Sequence, residues 1–215
     1  GNNDAFRIED LSPRSENDAM HFSYSGITNF DSLAGKSTMT FLQRMGFPLN
    51  RYTIRYGHGG TVFSDCLLGI RYVLDGNKWL QSPVPVGLAF TVHMSDNKPL
   101  GASGSDPVTF QNMIGADLGL PSPVLEEILP DDFAMENLVC EEEYCWKEAV
   151  SDPGTITYQF TAEESGIIYA HAMNEPVVGD LSFLYQENIG MLSDPDYFIP
   201  VGYINKGETA RYKIL

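Results

Sequence analysis

Hydrophobic and polar residues change their spacing along the chain, and in the first eighty residues this spacing predicts short strands and helices. Phe6–Glu9 and Met20–Tyr24 alternate apolar and polar side chains, as half-buried strands do. Ser32–Arg44 has apolar residues near helical spacing, which predicts an amphipathic helix. Val62–Leu68 predicts a short helix before Gly69–Leu74, a strand rich in branched and aromatic residues. A helix between strands indicates a mixed α/β layer.

Turn-forming residues divide the next seventy positions. Gly87–His93 is an apolar run that predicts a strand. Asp106 followed by Pro107 predicts the start of a helix that runs to about Gly119, because an N-cap carboxylate and a proline at the first helical position suit a helix's amide end. The acidic stretch over residues 121–148 predicts surface loop, with a helical turn near Val124–Leu129.

The last third of the chain has a different hydrophobic pattern, in which short apolar and aromatic runs alternate with turn residues. These runs are Thr155–Phe160, Gly166–His171, Leu181–Tyr185, Phe198–Tyr203 and Ala210–Ile214. Short strands at this spacing are typical of an antiparallel sandwich. The sequence therefore predicts an α+β protein: a mixed α/β N-terminal layer over residues 1–150, followed by a jelly-roll-like β-sandwich over residues 151–215.

Composition narrows the classes of partner. The chain has 215 residues, of which 43% are hydrophobic, enough for a sizeable core. Its formal net charge of −16 excludes nucleic acid as a partner, because nucleic-acid affinity comes mainly from Lys and Arg at phosphates. The same charge repels anionic lipid headgroups and phosphate polymers unless basic residues are locally segregated.

No apolar run approaches the length needed to cross a bilayer, and residues 1–20 carry charges where a signal peptide has its apolar region. Because the chain starts at Gly1, we expect export to depend on transmembrane helices of a longer parent protein, before residue 1 and after Leu215.

Cysteine and histidine spacing bears on disulfides and metals. Cys140 and Cys145 are five positions apart, so a bridge between them requires a turn, which Glu141–Glu143 could supply; the spacing alone leaves the bridge open. Cys66 lies among apolar residues as a small buried side chain. The four histidines are scattered singly and no paired-cysteine motif is present, so we expect neither a metal nor a cofactor.

The sequence offers candidates for binding but none for catalysis. Gly101–Ser105 lacks the final glycine of a nucleophile elbow, and the many carboxylates do not single out an acid and base pair. Sugar recognition combines aromatic faces with planar hydrogen-bonding groups. The candidate glycan-binding residues in or beside expected loops are Trp79, Trp146, Tyr185, Tyr197, Asn29, His58 and Asn188.

Short blocks in one order carry a resemblance to a known family. The two longest are Tyr24–Leu33 and Ser64–Leu74. The shorter ones are Phe6–Glu9, Asn17–Met20, Phe41–Gly46, Gly87–Phe90 and Asp106–Asn112. Their order resembles the extracytoplasmic part of YfhO, a family of bacterial multispanning membrane proteins. Arg7 and Asn17 match the family pattern, and we interpret them mainly as residues that tie loops together.

The resemblance implies sugar transfer outside the cytoplasmic membrane, from a polyprenyl-phosphate donor to a cell-wall polymer such as lipoteichoic acid. The chain would be an extracytoplasmic domain at the cell membrane that positions the acceptor, with the parent's transmembrane helices as partners and weak contact with the polymer. Catalysis would lie on loops outside this chain. The alternatives are a stand-alone cell-surface glycan-binding module, a secreted glycoside hydrolase and a purely structural domain.

Overall fold

The computed structural model describes residues 5–31, 33, 35–48, 52–57, 60–84, 106–141, 144–148, 154–171, 181–185, 188–192 and 198–214. Contacts divide the chain into two compact units. Unit 1 comprises Gly1–Glu126 with Asp196–Phe198, and unit 2 comprises Glu127–Pro195 with Ile199–Leu215.

Unit 1 contains short helices around a three-stranded sheet. Its elements are β1 (Arg7–Asp10), α1 (Asp18–His21), β2 (Asn29–Phe30), α2 (Lys36–Arg44), β3 (Thr53–Ile54), α3 (Val62–Leu68), β4 (Ile70–Asp75), β5 (Lys78–Gln81) and α4 (Pro107–Asp117). The sheet order is β1-β4-β5, with β1 parallel to β4 and β5 antiparallel to it; β2 and β3 form a separate antiparallel pair.

Local capping explains where α3 and α4 begin. The Thr61 hydroxyl accepts a hydrogen bond from the Ser64 amide, and the Asp106 carboxylate accepts one from the Thr109 amide. Helix α3 ends at Gly69, whose φ of 67° is the left-handed conformation that glycine adopts readily. The predicted helices at these positions are therefore confirmed.

A buried apolar cluster forms the core of unit 1. Its members are Ile27, Leu42, Met45, Phe47, Ile54, Tyr56, Ile70, Phe110 and Ile114. A chain of buried polar groups runs beside it: the Thr61 hydroxyl donates to Gln111 Oε1 at 2.6 Å, and Gln111 Nε2 donates to the Met45 carbonyl at 2.8 Å. These bonds join the start of α3 to α4 and to the end of α2.

Unit 2 is built from antiparallel strands. They are β6 (Asp132–Glu136), β7 (Leu138–Glu141), β8 (Tyr144–Lys147), β9 (Thr155–Thr161), β10 (Gly166–Ala170), β11 (Leu181–Tyr185), β12 (Asn188–Leu192), β13 (Ile199–Ile204) and β14 (Thr209–Ile214). A five-stranded sheet has the order β12-β11-β14-β9-β6, and β10 pairs with β13. Both sheets contribute to one apolar core, which includes Phe160, Ile168, Val201 and Ala210.

The β7–β8 hairpin brings the two neighbouring cysteines into register. Cys140 lies directly opposite Cys145 in the antiparallel pair, and Cys140 is disulfide-bonded. Cys66 is a free, half-buried thiol.

Two predicted elements are wrong. Met20–Tyr24 is not a strand, because Met20 and His21 belong to α1 and Ser23 has a φ of 59°, which a strand cannot contain. Residues 124–129 form no helical turn, because the Val124 and Leu125 amides donate to the Asn112 side chain, each at 2.9 Å, instead of to a helix. The acidic stretch that follows contains β6, β7 and β8 rather than loop alone.

The predicted class, α+β, is confirmed by helices together with mixed and antiparallel sheets. The contacts divide the chain after Glu126, and β6 pairs with β9 in one sheet of unit 2. The boundary at residue 150 stays a prediction. The jelly-roll connection remains a prediction, and the predicted strand Gly87–His93 lies outside the described residues.

Candidate functional site

A polar cleft of about 470 Å³ opens at one end of the three-stranded sheet in unit 1. Its lining residues come from the end of β1, the segment leading into α1, the segment after α1, and the β4–β5 turn. They are Asp10, Ser12, Arg14, Asp18, Phe22, Tyr24, Leu74, Gly76 and Asn77. We call this feature the β1–α1 cleft.

The parallel pairing of β1 with β4 places the cleft. Asp10 and Leu74 are register partners at the carboxyl ends of the two strands, and both line the cleft. In open α/β sheets, ligands bind outside the carboxyl ends of parallel strands, where the connecting segments diverge. Gly76, at a φ of 58°, makes the tight two-residue turn that returns the chain as β5 beside the cleft.

Asp18 organises the cleft wall. Its carboxylate accepts hydrogen bonds from the Arg14 amide at 2.7 Å, the Ser15 amide at 3.1 Å and the Ser15 hydroxyl at 2.8 Å. Burial acts to raise the pKa of Asp18, but these hydrogen bonds outweigh it and hold the pKa below its usual value. Asp18 therefore stays ionised and fixes the loop that precedes α1.

Several groups in the cleft are available to a ligand. The Arg14 side chain is exposed, and its guanidinium has no ion pair among the residues that the structure describes. Asp10 is half-buried and uses one oxygen to accept the Ser12 amide at 2.8 Å. Together with Asn77, these side chains offer hydrogen-bond donors and acceptors, while Phe22 and Tyr24 offer aromatic surface.

Glu9, the neighbour of Asp10 on β1, points into unit 1 and is 1% exposed. Its carboxylate accepts hydrogen bonds from the Ile27 amide and from the Thr28 hydroxyl, the latter at 2.8 Å. Burial raises the pKa of Glu9 to about 7, although these hydrogen bonds oppose the shift. On strand β1, the Asp10 carboxyl group therefore faces the cleft and the Glu9 carboxyl group faces the interior of unit 1.

A second buried carboxyl group lies on α3. Asp65 Oδ2 accepts a hydrogen bond from the Tyr56 hydroxyl at 2.9 Å, whereas Oδ1 is buried without a partner among the described residues. Burial raises the pKa of Asp65 to about 7, the Tyr56 hydrogen bond opposes the shift, and the charge of Glu9 adds to it. Burial also raises the pKa of Tyr56 well above its usual value.

Aromatic side chains continue from the cleft along the outward face of the sheet. Trp79 is the register partner of Leu74 on β5, so its side chain shares the face of Asp10 and Leu74. The Tyr72 ring packs edge-on against Trp79, with centroids 6.3 Å apart, and against Phe6 at 5.4 Å. We call Phe6, Tyr72 and Trp79 the aromatic strip. Arg71 lies over the Phe6 ring at 5.5 Å.

The structure brings one of the sequence-predicted sugar-binding residues to this face. Trp79 is 62% exposed and lies in β5, not in a loop. Asn29 lies in β2, with its Oδ1 buried and unpartnered among the described residues. Trp146, Tyr185 and Asn188 belong to strands β8, β11 and β12 of unit 2. His58 and Tyr197 lie outside the described residues. Whether any of the seven binds a glycan stays a prediction.

Arg7 and Asn17 have the structural role that was expected. The Arg7 guanidinium donates to the Leu68 carbonyl, and Asn17 Oδ1 accepts the Phe30 amide at 3.0 Å. Sequence reasoning missed Asp10, Arg14 and Asn77. The available signal was positional, because Asp10 directly follows a predicted strand and Asn77 lies in a Gly-Asn turn.

One family model matches this chain. The model, described as bacterial membrane protein YfhO, matches residues 1–175, which include every residue of the β1–α1 cleft and of the aromatic strip. The chain belongs to the YfhO family. No curated protein and no solved structure matches it.

YfhO proteins are bacterial membrane proteins. Among the described residues of this member, no helix combines the length and apolar character needed to cross a bilayer. The same residues contain no group of three or more His, Cys, Asp or Glu side chains placed to hold a metal ion.

Proposed function

We propose that this YfhO chain is an extracytoplasmic domain of a membrane glycosyltransferase, and that it positions a cell-wall polymer such as lipoteichoic acid as the acceptor. The β1–α1 cleft and the aromatic strip would contact the polymer. The transfer chemistry would be carried out by parts of the parent protein outside this chain.

The observation that carries this proposal is the continuity of two complementary surfaces on one sheet face. The cleft supplies Asp10, Arg14 and Asn77 as hydrogen-bonding groups, and the strip supplies the exposed Trp79 ring. Sugars present apolar CH faces to aromatic rings and hydroxyl groups to planar polar side chains. A polymer repeat that includes a phosphate would in addition meet the Arg14 guanidinium.

The glycoside hydrolase alternative requires a protonated carboxyl group beside an ionised one. The cleft contains two carboxyl groups, Asp10 and Asp18. Three hydrogen bonds hold the pKa of Asp18 below its usual value, which makes it a poor proton donor at neutral pH. Asp18 is therefore not the acid of such a pair, and we propose binding rather than hydrolysis because the exposed Trp79 ring lies on the same sheet face as the cleft. The stand-alone glycan-binding module would use the same surfaces.

The test is titration of the ¹⁵N-labelled chain, followed by NMR, with a glycerol-phosphate oligomer released from lipoteichoic acid and, separately, with a neutral gluco-oligosaccharide. We expect saturable shifts at cleft residues and a dissociation constant on the order of millimolar, since tethering in the parent raises the effective concentration. Trp79→Ala should weaken binding of either ligand about tenfold, because the ring loses its stacking contact. Arg14→Ala should weaken binding of the phosphate oligomer more.

The matched control is Tyr203→Ala, which removes an aromatic side chain that is 60% exposed in unit 2. It should leave both affinities unchanged. An absence of shifts at the cleft with either ligand would reject the acceptor-binding role. Tight binding of the neutral oligosaccharide, with no preference for the polymer, would favour the stand-alone module.

A further inference from the structure

An exposed apolar surface lies on unit 1 beside the cleft. It consists of Met20, Phe22, Phe30, Leu33 and Tyr52, and we call it the Phe30 surface. Leu33 is 89% exposed and Phe30 is 51% exposed. Soluble proteins rarely leave large apolar side chains clustered in water unless the cluster meets a partner or a membrane.

Hydrogen bonds hold these residues on neighbouring segments. The Phe30 amide donates to Asn17 Oδ1 at 3.0 Å, which ties β2 to the start of α1, the helix that bears Met20. The Asp31 amide donates to the Tyr52 carbonyl at 2.9 Å. The rings of Phe30 and Tyr52 are 6.2 Å apart. These contacts hold Phe30 beside Tyr52 and tie β2 to the start of α1.

Charge is unevenly distributed along the sequence, and the segment that carries the Phe30 surface is its basic part. Residues 14–55 contain five basic residues and three acidic ones, a formal excess of two positive charges, whereas the rest of the chain has a formal net charge of −18. The basic residues are Arg14, Lys36, Arg44, Arg51 and Arg55. Glu16, one of the three acids, forms an ion pair with Arg55. This segment is the locally basic region that contact with an anionic surface requires in an acidic protein.

Lys36 adds an exposed positive charge to this segment. It is the first residue of α2, whose first turn has no acidic residue, and its side chain is exposed. A cation at a helix N-terminus is unfavourable, because the helix dipole is positive there. Lys36 follows the exposed Leu33 of the Phe30 surface by three positions in sequence.

We propose that the Phe30 surface docks this domain onto an anionic lipid bilayer. Apolar and aromatic side chains enter the headgroup region of a membrane, and neighbouring Lys and Arg side chains meet anionic lipids. Both features coincide in residues 14–55, and the family to which the chain belongs consists of membrane proteins. The rest of the chain, with a formal net charge of −18, is repelled from the same lipids, so contact is expected through residues 14–55.

The docked orientation has a consequence for the cleft. Phe22 belongs to the Phe30 surface and also lines the β1–α1 cleft. Docking through the Phe30 surface therefore brings the mouth of the cleft next to the lipid headgroups, within reach of a ligand that is anchored in the membrane.

The test is co-sedimentation of the whole chain with phosphatidylcholine vesicles, with and without about 30% phosphatidylglycerol. We expect at least about tenfold stronger partitioning onto the anionic vesicles at about 50 mM salt, and a strong reduction at about 500 mM salt, where charges are screened. The double variant Phe30→Ser/Leu33→Ser should lower partitioning at least about tenfold, because it removes the inserted side chains.

A matched double variant controls for nonspecific adhesion. Leu129→Ser/Phe133→Ser changes the same residue types in unit 2, where Leu129 is 72% exposed and Phe133 is 58% exposed. It should bind anionic vesicles as the unchanged chain does. All four positions are solvent-exposed, so circular dichroism should show folded protein for both variants.

The variant Lys36→Glu separates docking from stability. It should raise the melting temperature, because it places an acidic group at the N-terminus of α2, and it should weaken binding to phosphatidylglycerol vesicles several-fold. Lys206→Glu, in unit 2, should not weaken binding. Equal binding to both kinds of vesicle, absence of binding at low salt, or an equal effect of the control variants would overturn the proposal. If the unchanged chain forms a concentration-dependent dimer and the Phe30→Ser/Leu33→Ser variant does not, the Phe30 surface serves self-association instead.

The vesicle experiment contains no glycan, so its failure leaves the acceptor-binding test unaffected. Likewise, the NMR titration uses soluble oligomers and no membrane, so its failure leaves the membrane-docking test unaffected.

Discussion

Glu9 links the interior of unit 1 to the wall of the cleft. Its carboxylate holds the Ile27–Thr28 segment, while Asp10 beside it faces the cleft. Gly26 allows this close packing, since a Cβ at this position would lie 3.1 Å from Glu9 Oε1 and 3.3 Å from the Tyr24 ring. Burial first, and then the charges of Glu9, Asp10 and Asp18, raise the pKa of Tyr24. A change in the charge of Glu9 therefore changes the pKa of Tyr24, which lines the cleft.

The raised pKa of Glu9 predicts that folding stability falls as pH rises from about 4.5 to about 7. Between these pH values the folded state keeps a proton on Glu9 that the unfolded state has released. The contribution of Glu9 to the free energy of unfolding is therefore complete below about pH 4.5 and is lost as the pH passes the pKa of Glu9 in the folded state, about 7. The loss is on the order of 3 kcal/mol for this group. Glu9→Gln should reduce it, as measured by urea unfolding at several pH values.

The control for this prediction is Glu127→Gln, which changes an exposed carboxyl group and should keep the parent pH profile. A Glu9→Gln profile that still falls as steeply as that of the parent between these pH values would contradict the assignment. The pKa of Asp65 is also raised to about 7, so Asp65 likewise lowers folding stability as pH rises. This part of the pH dependence remains in the Glu9→Gln variant.

At the scale of elements, strand β4 contributes both to the sheet and to the core of unit 1. It is the central strand of the three-stranded sheet, and Ile70 at its start is 1% exposed in the core. Ile70→Asp places an unpaired charge in that core and removes apolar contacts, so we expect a loss of roughly 3–5 kcal/mol in the free energy of unfolding.

Thermal unfolding followed by circular dichroism measures the effect of Ile70→Asp. Leu80→Asp, at an exposed position of the neighbouring strand β5, serves as the control and should shift the melting temperature only slightly. Equal melting temperatures for Ile70→Asp and the unchanged chain would show that the core does not depend on this position.

Elements fixed by local chemistry could be predicted from the sequence. Thr61 and Gly69 bound α3, and Asp106 with Pro107 starts α4, and each signal acts within a few residues. Residues 124–125 could not be predicted in the same way, because the Asn112 side chain holds their amides. The cleft depends on pairing between β1 and β4, and a strand pattern does not specify which strands pair. The family was predicted from the ordered sequence blocks and not from hydrophobic periodicity. The match of the family model over residues 1–175 confirms that prediction.

For the whole chain, we expect neither sugar transfer nor glycan hydrolysis in the absence of the rest of the parent protein. The proposed role assigns the chain to acceptor positioning, and Asp18 in the cleft is held ionised by its hydrogen bonds. Release of free sugar or formation of a glycosylated polymer, followed by mass spectrometry with a lipid-linked sugar donor, measures both activities. Turnover by the chain alone would place catalysis within these 215 residues and end the positioning hypothesis.

The parallel pairing of β1 with β4 also bears on how unit 1 forms during synthesis. The paired residues are 63 or 64 positions apart, and β1 is made first. At roughly 5–20 residues per second, β1 leaves the ribosome about 3–13 seconds before its partner strand does. During that interval Glu9 is in water with an ordinary carboxyl pKa and carries a charge near neutral pH. When the sheet closes, Glu9 enters a site where its pKa is about 7. Closure of this sheet therefore takes up protons from the surrounding medium.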